Sequence, residues 1–517
     1  MRRFFASFLA WFLLISTARA ACTGSGLTWS CPSGASISDV QTVLNSASDG
    51  ATVTFAAGSY SWATQATFSP SAGVTLICAT LGGCTVNVTA GAVLGVSTFS
   101  GANSHLYRVS GFTFDQAASD TNFVIWFGSG CSGCNGSFSN LRIDHNTFNL
   151  YSGSVAIFLG ENSSIGLFYG SIDHNTVASA SSVALVNWIG ETNTTPPASP
   201  LGTANNLFVE TNLMSITTVT NAGQGCMDSW GGAQIVWRYN DTTNCLVTAH
   251  GTDHNGGPQS IELYNNNIAV DAGSVTAGVQ DCYRCFHHQG SGEIIAFNNS
   301  FTPYSGHNSD ALSLTHYLSF TQATAGYSSP PYYQCDGTVT DPPNIYQDGN
   351  RIGGTPLYVG YPCWRQPGRD FAANLQPIYD WNNSWSDTLA EVSLHLDDLG
   401  GTPDYITNHL IADRDWYTAV SASAQTSPTS PFDGSTGMGF GTLANRPTTC
   451  TPTPSAGDPG FGGVGYFATD VGTQGTLYQC TASNTWTVYY TPYAYPYVPA
   501  GGPAFVPPAS PFVIAEK

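Results

Sequence analysis

The chain has 517 residues, too many for one compact domain of ordinary size. Only 9% of residues are charged and the net charge is −20, so the clustered Lys and Arg that grip phosphates are missing and nucleic-acid binding is excluded. Hydrophobic residues at 42% exclude a disordered acidic polymer, and a lone lysine, Lys517, excludes a lysine-base mechanism.

Residues 1–20 read as a secretory signal peptide: Arg2 and Arg3, an apolar run from Phe4 to Ile15, and the small-x-small site Ala18-Arg19-Ala20. The run is shorter than the roughly 20 residues of a membrane span. That segment holds three of the 13 basic residues and no acid, so the remainder carries −23. No later run is long enough to span a bilayer, so the expected location is secreted, extracellular or cell-surface.

All 14 cysteines follow residue 20, and in an exported chain an even number reads as disulfides. Proximity pairs Cys22 with Cys31, Cys78 with Cys84, Cys131 with Cys134, and Cys226 with Cys245. It further pairs Cys282 with Cys285, Cys335 with Cys363, and Cys450 with Cys480. The two Cys-x-x-Cys pairs lie too far apart for an obvious zinc site, and the compartment is oxidising. Cys282-Tyr-Arg-Cys285-Phe286-His287 falls short of a haem-attachment motif because Phe286 intervenes.

Ser38 to Leu44 has an apolar face at i, i+3 and i+4 and predicts a short helix with Ser38 as N-cap. It could cover an open sheet end. Strands then begin at Asp49-Gly-Ala-Thr-Val-Thr-Phe55. A repeat follows: a β-rich run, then Asn, one residue, and an apolar residue. It reads Ile143-Asp-His-Asn146-Thr-Phe148, then Ile172-Asp-His-Asn175-Thr-Val177, with looser copies at Asn212, Asn240, Asn266 and Asn299. The spacings are 29, 37, 28, 26 and 33 residues. Gly111-Phe-Thr-Phe114, Asn350 and Asn383 are further candidates. A drifting period near 30 without helical pattern predicts an all-β solenoid of about a dozen coils. A recurrent Asn can then bond the Asn above and below it.

The helix, the "DGATVTFAAGSY" entry and the "IDHNTF" repeats resemble the right-handed parallel β-helix, or pectin-lyase-like, superfamily. The resemblance runs through residues 35 to 390. Arg414-Asp-Trp-Tyr417 and Tyr490-Thr-Pro-Tyr493-Ala-Tyr495-Pro496 resemble the tail of exported bacterial β-helix proteins of unassigned activity. The domains expected are residues 21–390 as the β-helix, 391–431 as an irregular linker, 432–490 as a small disulfide-pinned β module, and 491–517 as a Pro-rich tail. The module could bind sugar through Tyr478, Trp486 and Tyr489; the expectation is that it caps the solenoid's far end.

The resemblance implies that the strand upstream of each Asn repeat lines a substrate groove. Trp126, Phe158 and Trp188 each lie two residues before a Gly and should stack on successive coils, with Trp230 shifted by one. They suit a sugar platform or a packed core. Later strands turn polar: Asp228, then His250 with Asp253 and His254, then Asp281, Arg284, His287 and His288. This is the densest set of titratable groups, and stacking would gather it in one groove. Asp228 would serve as general base or metal ligand, His250 as proton shuttle, and Arg284 as a clamp on the sugar.

Three functions fit. A polysaccharide hydrolase needs two carboxylates about 5 to 5.5 Å apart for retention or about 6.5 to 9.5 Å for inversion, and on coils about 4.8 Å apart Asp228 with Asp253, or with Asp281, could meet either rule. The polygalacturonase motifs are absent: the only Asp-Asp is Asp397-Asp398, and Ala249-His250-Gly251 is a partial match. A polysaccharide lyase would use His250, His287 or Arg284 as base, with Arg284 or a Ca²⁺ at Asp228 and Asp253 neutralising the substrate. A non-catalytic adhesin or matrix protein suits the low charge. The lead expectation is an enzyme acting on a polysaccharide or cell-surface glycan, with no cofactor required and Ca²⁺ the one metal considered.

Overall fold

Short β-branched and aromatic runs become strands, which the chain deals out to three sheets in rotation. Ala51–Phe55 enters the first sheet, Gly58–Trp62 the second and Ala66–Thr67 the third, and the next pass lays its strands alongside. The computed structural model describes residues 21–89, 93–96, 104–116, 123–128, 138–151, 154–160, 167–179, 185–188, 199–216, 226–230, 232–249, 258–270, 285–288, 292–307, 311–314, 367–368, 376–396, 410, 412–419, 432–452 and 463–498. The second and third sheets have ten strands each and the first has thirteen. Every strand pair in the three is parallel except Thr23–Ser25 with Thr28–Cys31. Ten full passes fall short of the dozen expected because 84 residues separate Asn299 from Asn383, where one pass would do.

The repeated Asn fixes the register. Asn146, Asn175, Asn212, Asn240, Asn266, Asn299 and Asn383 form one buried ladder. Each side-chain amide donates to the carboxamide oxygen of the next Asn, at 2.8 to 3.3 Å. The same oxygen accepts the preceding rung's backbone N–H, as Asn240 does from Asn212 at 3.0 Å. The residue before each Asn takes a left-handed conformation, with φ between 53° and 58° at His145, His174, Thr211, Tyr239, Asn265, Asn298 and Asn382. Asn350 lies outside the described residues.

The helix spans Ile37–Ser46, starting two residues earlier than a Ser38 cap implied, because Ser36 caps it. Ser36 and Asp39 form a capping box. Val40, Val43 and Leu44 enter the core. Gln41 bonds both backbone groups of Thr67, on the edge strand of the third sheet.

The three sheets differ in what covers them. Strands of the second alternate strictly: Phe114, Phe148 and Val177 face the core, while Thr113, Thr147 and Thr176 face out. The first sheet is buried on both faces over much of its length. Its outer face carries Phe208, Val236, Tyr264, Phe297, Tyr379 and Trp381, all buried. What buries them is the C-terminal module, a sheet of Met438–Gly441, Gly465–Ala468, Thr476–Ala482 and Thr485–Tyr490. Phe467 packs on Phe297 and Trp381, and Tyr497 stacks on Phe208. The module therefore lies along the outer face of the first sheet, and Met438 bridges Ala419 just past that sheet's last strand. Tyr489 is partly buried with its ring edge-on to Tyr379, and Tyr478 and Trp486 hold the Arg446 guanidinium. The parallel sheets also run on into the 391–431 stretch, through His395–Leu396 and Trp416–Thr418.

Among the described residues the disulfides Cys22–Cys31, Cys78–Cys84, Cys226–Cys245 and Cys450–Cys480 close. Cys226–Cys245 ties neighbouring strands of the third sheet. Cys285 is also disulfide-bonded, while Cys131, Cys134, Cys282, Cys335 and Cys363 lie outside the described residues. These bonds fit an oxidising compartment. No helix among the described residues is long and apolar enough to cross a membrane.

Candidate functional site

Strand pairing in the third sheet decides which side chains share a face. Ile125, Ile157, Met227, Val247, Phe286 and Leu312 are buried in one inner column and pin the register. One residue further along, the outer column carries Trp126, Phe158, Asp228, Thr248, His287 and His395, with positions 186 and 313 in backbone register between them. His287 thus joins Asp228, whereas His288 pairs with Ala249 on the inner face and is fully buried. Asp228 and His287 are two strands apart, about 9.6 Å at the usual spacing. Thr248 stands between them.

Asp228 is half-buried, while Thr248 and His287 are each only 2% exposed. The Thr248 Oγ1 has no hydrogen-bond partner among the described residues. An unsatisfied buried hydroxyl costs about 1 to 3 kcal/mol; the hydroxyls of Ser171, Ser229 and Ser260 share this state, and Thr248 differs from them in standing between Asp228 and His287. His250, Asp253, Asp281 and Arg284 lie outside the described residues. For Ca²⁺, the described part of this column offers one carboxylate and one hydroxyl, short of the roughly six to eight oxygens that ion takes.

The aromatic stack differs from the sequence expectation. Trp126 and Phe158 pair, but Trp188 pairs with Gly160, two positions along, and directly with Trp230. Counting back from Gly misplaced Trp188 because Gly160 still belongs to its strand. Trp126 and Phe158 are neighbours on the outer side. Phe123, Trp126 and Phe158 form an apolar cluster separate from the core. The Trp126 indole N–H donates to the Gly160 carbonyl at 3.3 Å.

A second polar assembly, on the outer face of the first sheet, escaped the sequence analysis. The residue two before each ladder Asn is Asp144, Asp173, Glu210, Arg238 and then Tyr264 on successive passes. Arg108 donates to both Asp144 oxygens at 2.7 and 2.6 Å, and Arg142 to both Asp173 oxygens at 3.1 and 2.9 Å. Arg238 donates to Glu210 at 2.7 Å. The imidazoles of His145 and His174 stack at 4.8 Å, each with Nδ1 against the preceding Asp. Burial alone would raise the Asp144 pKa, but the bonds from Arg108 and His145 outweigh it and hold the carboxyl well below the usual range. Burial pushes Glu210 up despite Arg238.

Donor atoms of Asp144, His145 and Asp173 lie within 4.8 Å of one another, which is a metal-like grouping. The charges speak against a metal. Three carboxylates meet three guanidiniums, and a divalent cation would have to displace an arginine from a two-pronged pair. The assembly is a neutral strut, closed at one end by the tail, where the Tyr497 N–H donates to Glu210 and the Tyr493 carbonyl accepts from Arg238. The signal in the sequence was the position two before Asn, but its chemistry changes from pass to pass.

No protein-family model and no curated protein matches this chain.

Proposed function

We propose that this chain is an exported right-handed parallel β-helix protein of the pectin-lyase-like kind, and that it cleaves a polysaccharide in a groove along the outer face of the third sheet. One observation carries the proposal: Asp228 and His287 share a single outer column with the aromatic pair Trp126 and Phe158. A line of rings leading to a carboxylate and an imidazole suits a linear polymer, whose apolar sugar faces stack on rings. In this reading the helix Ile37–Ser46 shields the first pass.

The spacing favours hydrolysis with inversion, because groups two strands apart leave room for a water between base and anomeric carbon. Asp228 would take the proton of that water as it attacks. His287 would give a proton to the departing sugar oxygen, since an imidazole exchanges protons near neutrality. The strands hold both groups rigidly.

The test is a panel of polysaccharides, read by new reducing ends and by the ultraviolet absorbance of unsaturated ends. Reducing ends alone, lost in Asp228→Asn and in His287→Ala with folding intact, support hydrolysis in this column. Cleavage unchanged in both variants removes the column from the mechanism. Binding without cleavage makes the chain a glycan-binding surface protein.

A further inference from the structure

We infer that Thr248 is a sugar-binding residue at the centre of this column, and that the sugar it takes is neutral rather than a uronate. The inference rests on the groove reading above. The strand Val247–Ala249 puts Thr248 directly between Asp228 and His287, one strand spacing from each. The side chain is 2% exposed and its Oγ1 meets no hydrogen-bond partner among the described residues. Buried hydroxyls in native proteins nearly always have one. A β-branched side chain has little χ1 freedom, so the hydroxyl is held in place and cannot swing to a distant acceptor.

The three groups complement a sugar hydroxyl. Asp228 accepts a hydrogen bond, Thr248 both donates and accepts, and His287 does either according to its tautomer. A site built to bond a hydroxyl rejects a ligand that lacks it, because its own buried group is then left unpaired. The same geometry disfavours a uronate. A carboxylate bonded to Thr248 would sit about one strand spacing from the Asp228 carboxylate, in surroundings that screen charge poorly. The net charge of −20 adds to that repulsion at longer range. The described arginines do not relieve it: Arg108, Arg142, Arg238 and Arg414 are held by carboxylates, and Arg446 lies over the rings of Tyr478 and Trp486.

The experiment compares wild type, Thr248→Val and Thr248→Ser on two sets of polymers. One set is neutral (xylan, β-glucan, mannan, galactan) and the other uronate-based (polygalacturonate, alginate). Valine keeps the shape and removes only the hydroxyl; serine keeps the hydroxyl. We expect cleavage of a neutral polymer, a loss of about tenfold or more in kcat/KM for Thr248→Val, and recovery of most of it in Thr248→Ser. Calorimetric titration with oligomers of the same neutral polymer should show weakened binding in the valine variant, at a melting temperature no lower than that of wild type. Equal kcat/KM and binding in wild type and Thr248→Val would overturn the role of Thr248. Cleavage of a uronate polymer, with ultraviolet-absorbing ends, would overturn the neutral-sugar assignment while leaving the groove in place. Failure of the wild type to cleave or bind any polymer overturns the groove reading itself, and with it this inference.

Discussion

Glu262 is a carboxyl enclosed between the first sheet and the module, and replacing it with glutamine should stabilise the protein at alkaline pH. It lies on the outer face of the strand Ser260–Tyr264 and is fully buried. One oxygen accepts from the Gly202 N–H at 2.7 Å and the other from the Tyr490 hydroxyl at 2.6 Å. Burial pushes its pKa from 4.5 up to about 7, and the two hydrogen bonds and Arg238 pull it only part of the way back. The sign follows from linkage. Below about 4.5 the group is protonated whether or not the module is docked, so its contribution is fully present. As pH rises from there towards 7 the undocked carboxyl ionises first and stability is lost. Above 7 the loss is complete, and the interval from 4.5 to about 7, at about 1.36 kcal/mol per pH unit, makes it about 3 kcal/mol. In Glu262→Gln the amide oxygen still accepts from Gly202, and the amide N–H donates to the Tyr490 oxygen once that hydroxyl turns. The buried charge is gone and both contacts survive.

Hydrogen exchange of the amides in 485–498 reads this directly, because opening of the module exposes them. At pH 8, exchange in Glu262→Gln should be slower than in wild type by about a hundredfold, from about 1.4 kcal/mol per factor of ten. Near pH 4.5 the two should coincide. Comparing both proteins at one pH cancels the pH dependence of exchange itself and the contribution of Asp380, whose burial pushes its own pKa up to about 8. Equal exchange at pH 8, or faster exchange in the variant, would refute the reasoning, for it would mean the two hydrogen bonds outweigh the cost of burying the charge.

Three further predictions concern the frame and the site. Asn240→Ala removes the acceptor of the Asn212 N–H and the donor to the Val209 carbonyl, so two buried backbone groups are orphaned; at about 1 to 3 kcal/mol each, urea unfolding should show a loss of about 2 to 6 kcal/mol. Gly202→Ala should loosen the module, because Gly202 sits at φ 66° and an added Cβ would come within 2.2 Å of the Thr491 carbonyl; faster proteolysis between 420 and 431 at unchanged activity is the expected result. Both His287→Ala and His288→Ala empty a buried position and should lower the melting temperature, but only His287→Ala should abolish polysaccharide cleavage in the protein that stays folded.

The frame was legible because stacking imposes one residue at one place. Every pass needs a left-handed corner followed by a side chain that both donates and accepts along the axis, and Asn at 146, 175, 212 and 240 declares it. Asp228 was legible as part of a polar column. Which of His287 and His288 joins it was not, because a one-residue slip exchanges the two faces and only strand pairing fixes the register. The strut of Asp144, Asp173, Glu210 and Arg238 was illegible for a different reason: it is a pairing between passes, and its members share no residue type.

The strands themselves carry a signal that the sequence reading left unused. A sheet face in water alternates polar with apolar, as Thr147–Leu150 does. A sheet covered on both faces carries continuous apolar runs, and Leu207-Phe-Val209, Ile235-Val-Trp237 and Ile294-Ile-Ala-Phe297 are such runs, so the sequence implies a cover for the first sheet. The third sheet obeys neither rule between Asp228 and His287. Its outer face there is polar, yet Thr248 and His287 are almost wholly enclosed. Desolvating a hydroxyl and an imidazole brings no stability by itself, because apolar residues of the same shape would pack as well without the cost. The first sheet also encloses polar groups, but as carboxylate–guanidinium pairs and under the module; the third sheet sets a carboxylate, a hydroxyl and an imidazole in one column with Trp126 and Phe158, and that is the ground for proposing the chemistry there.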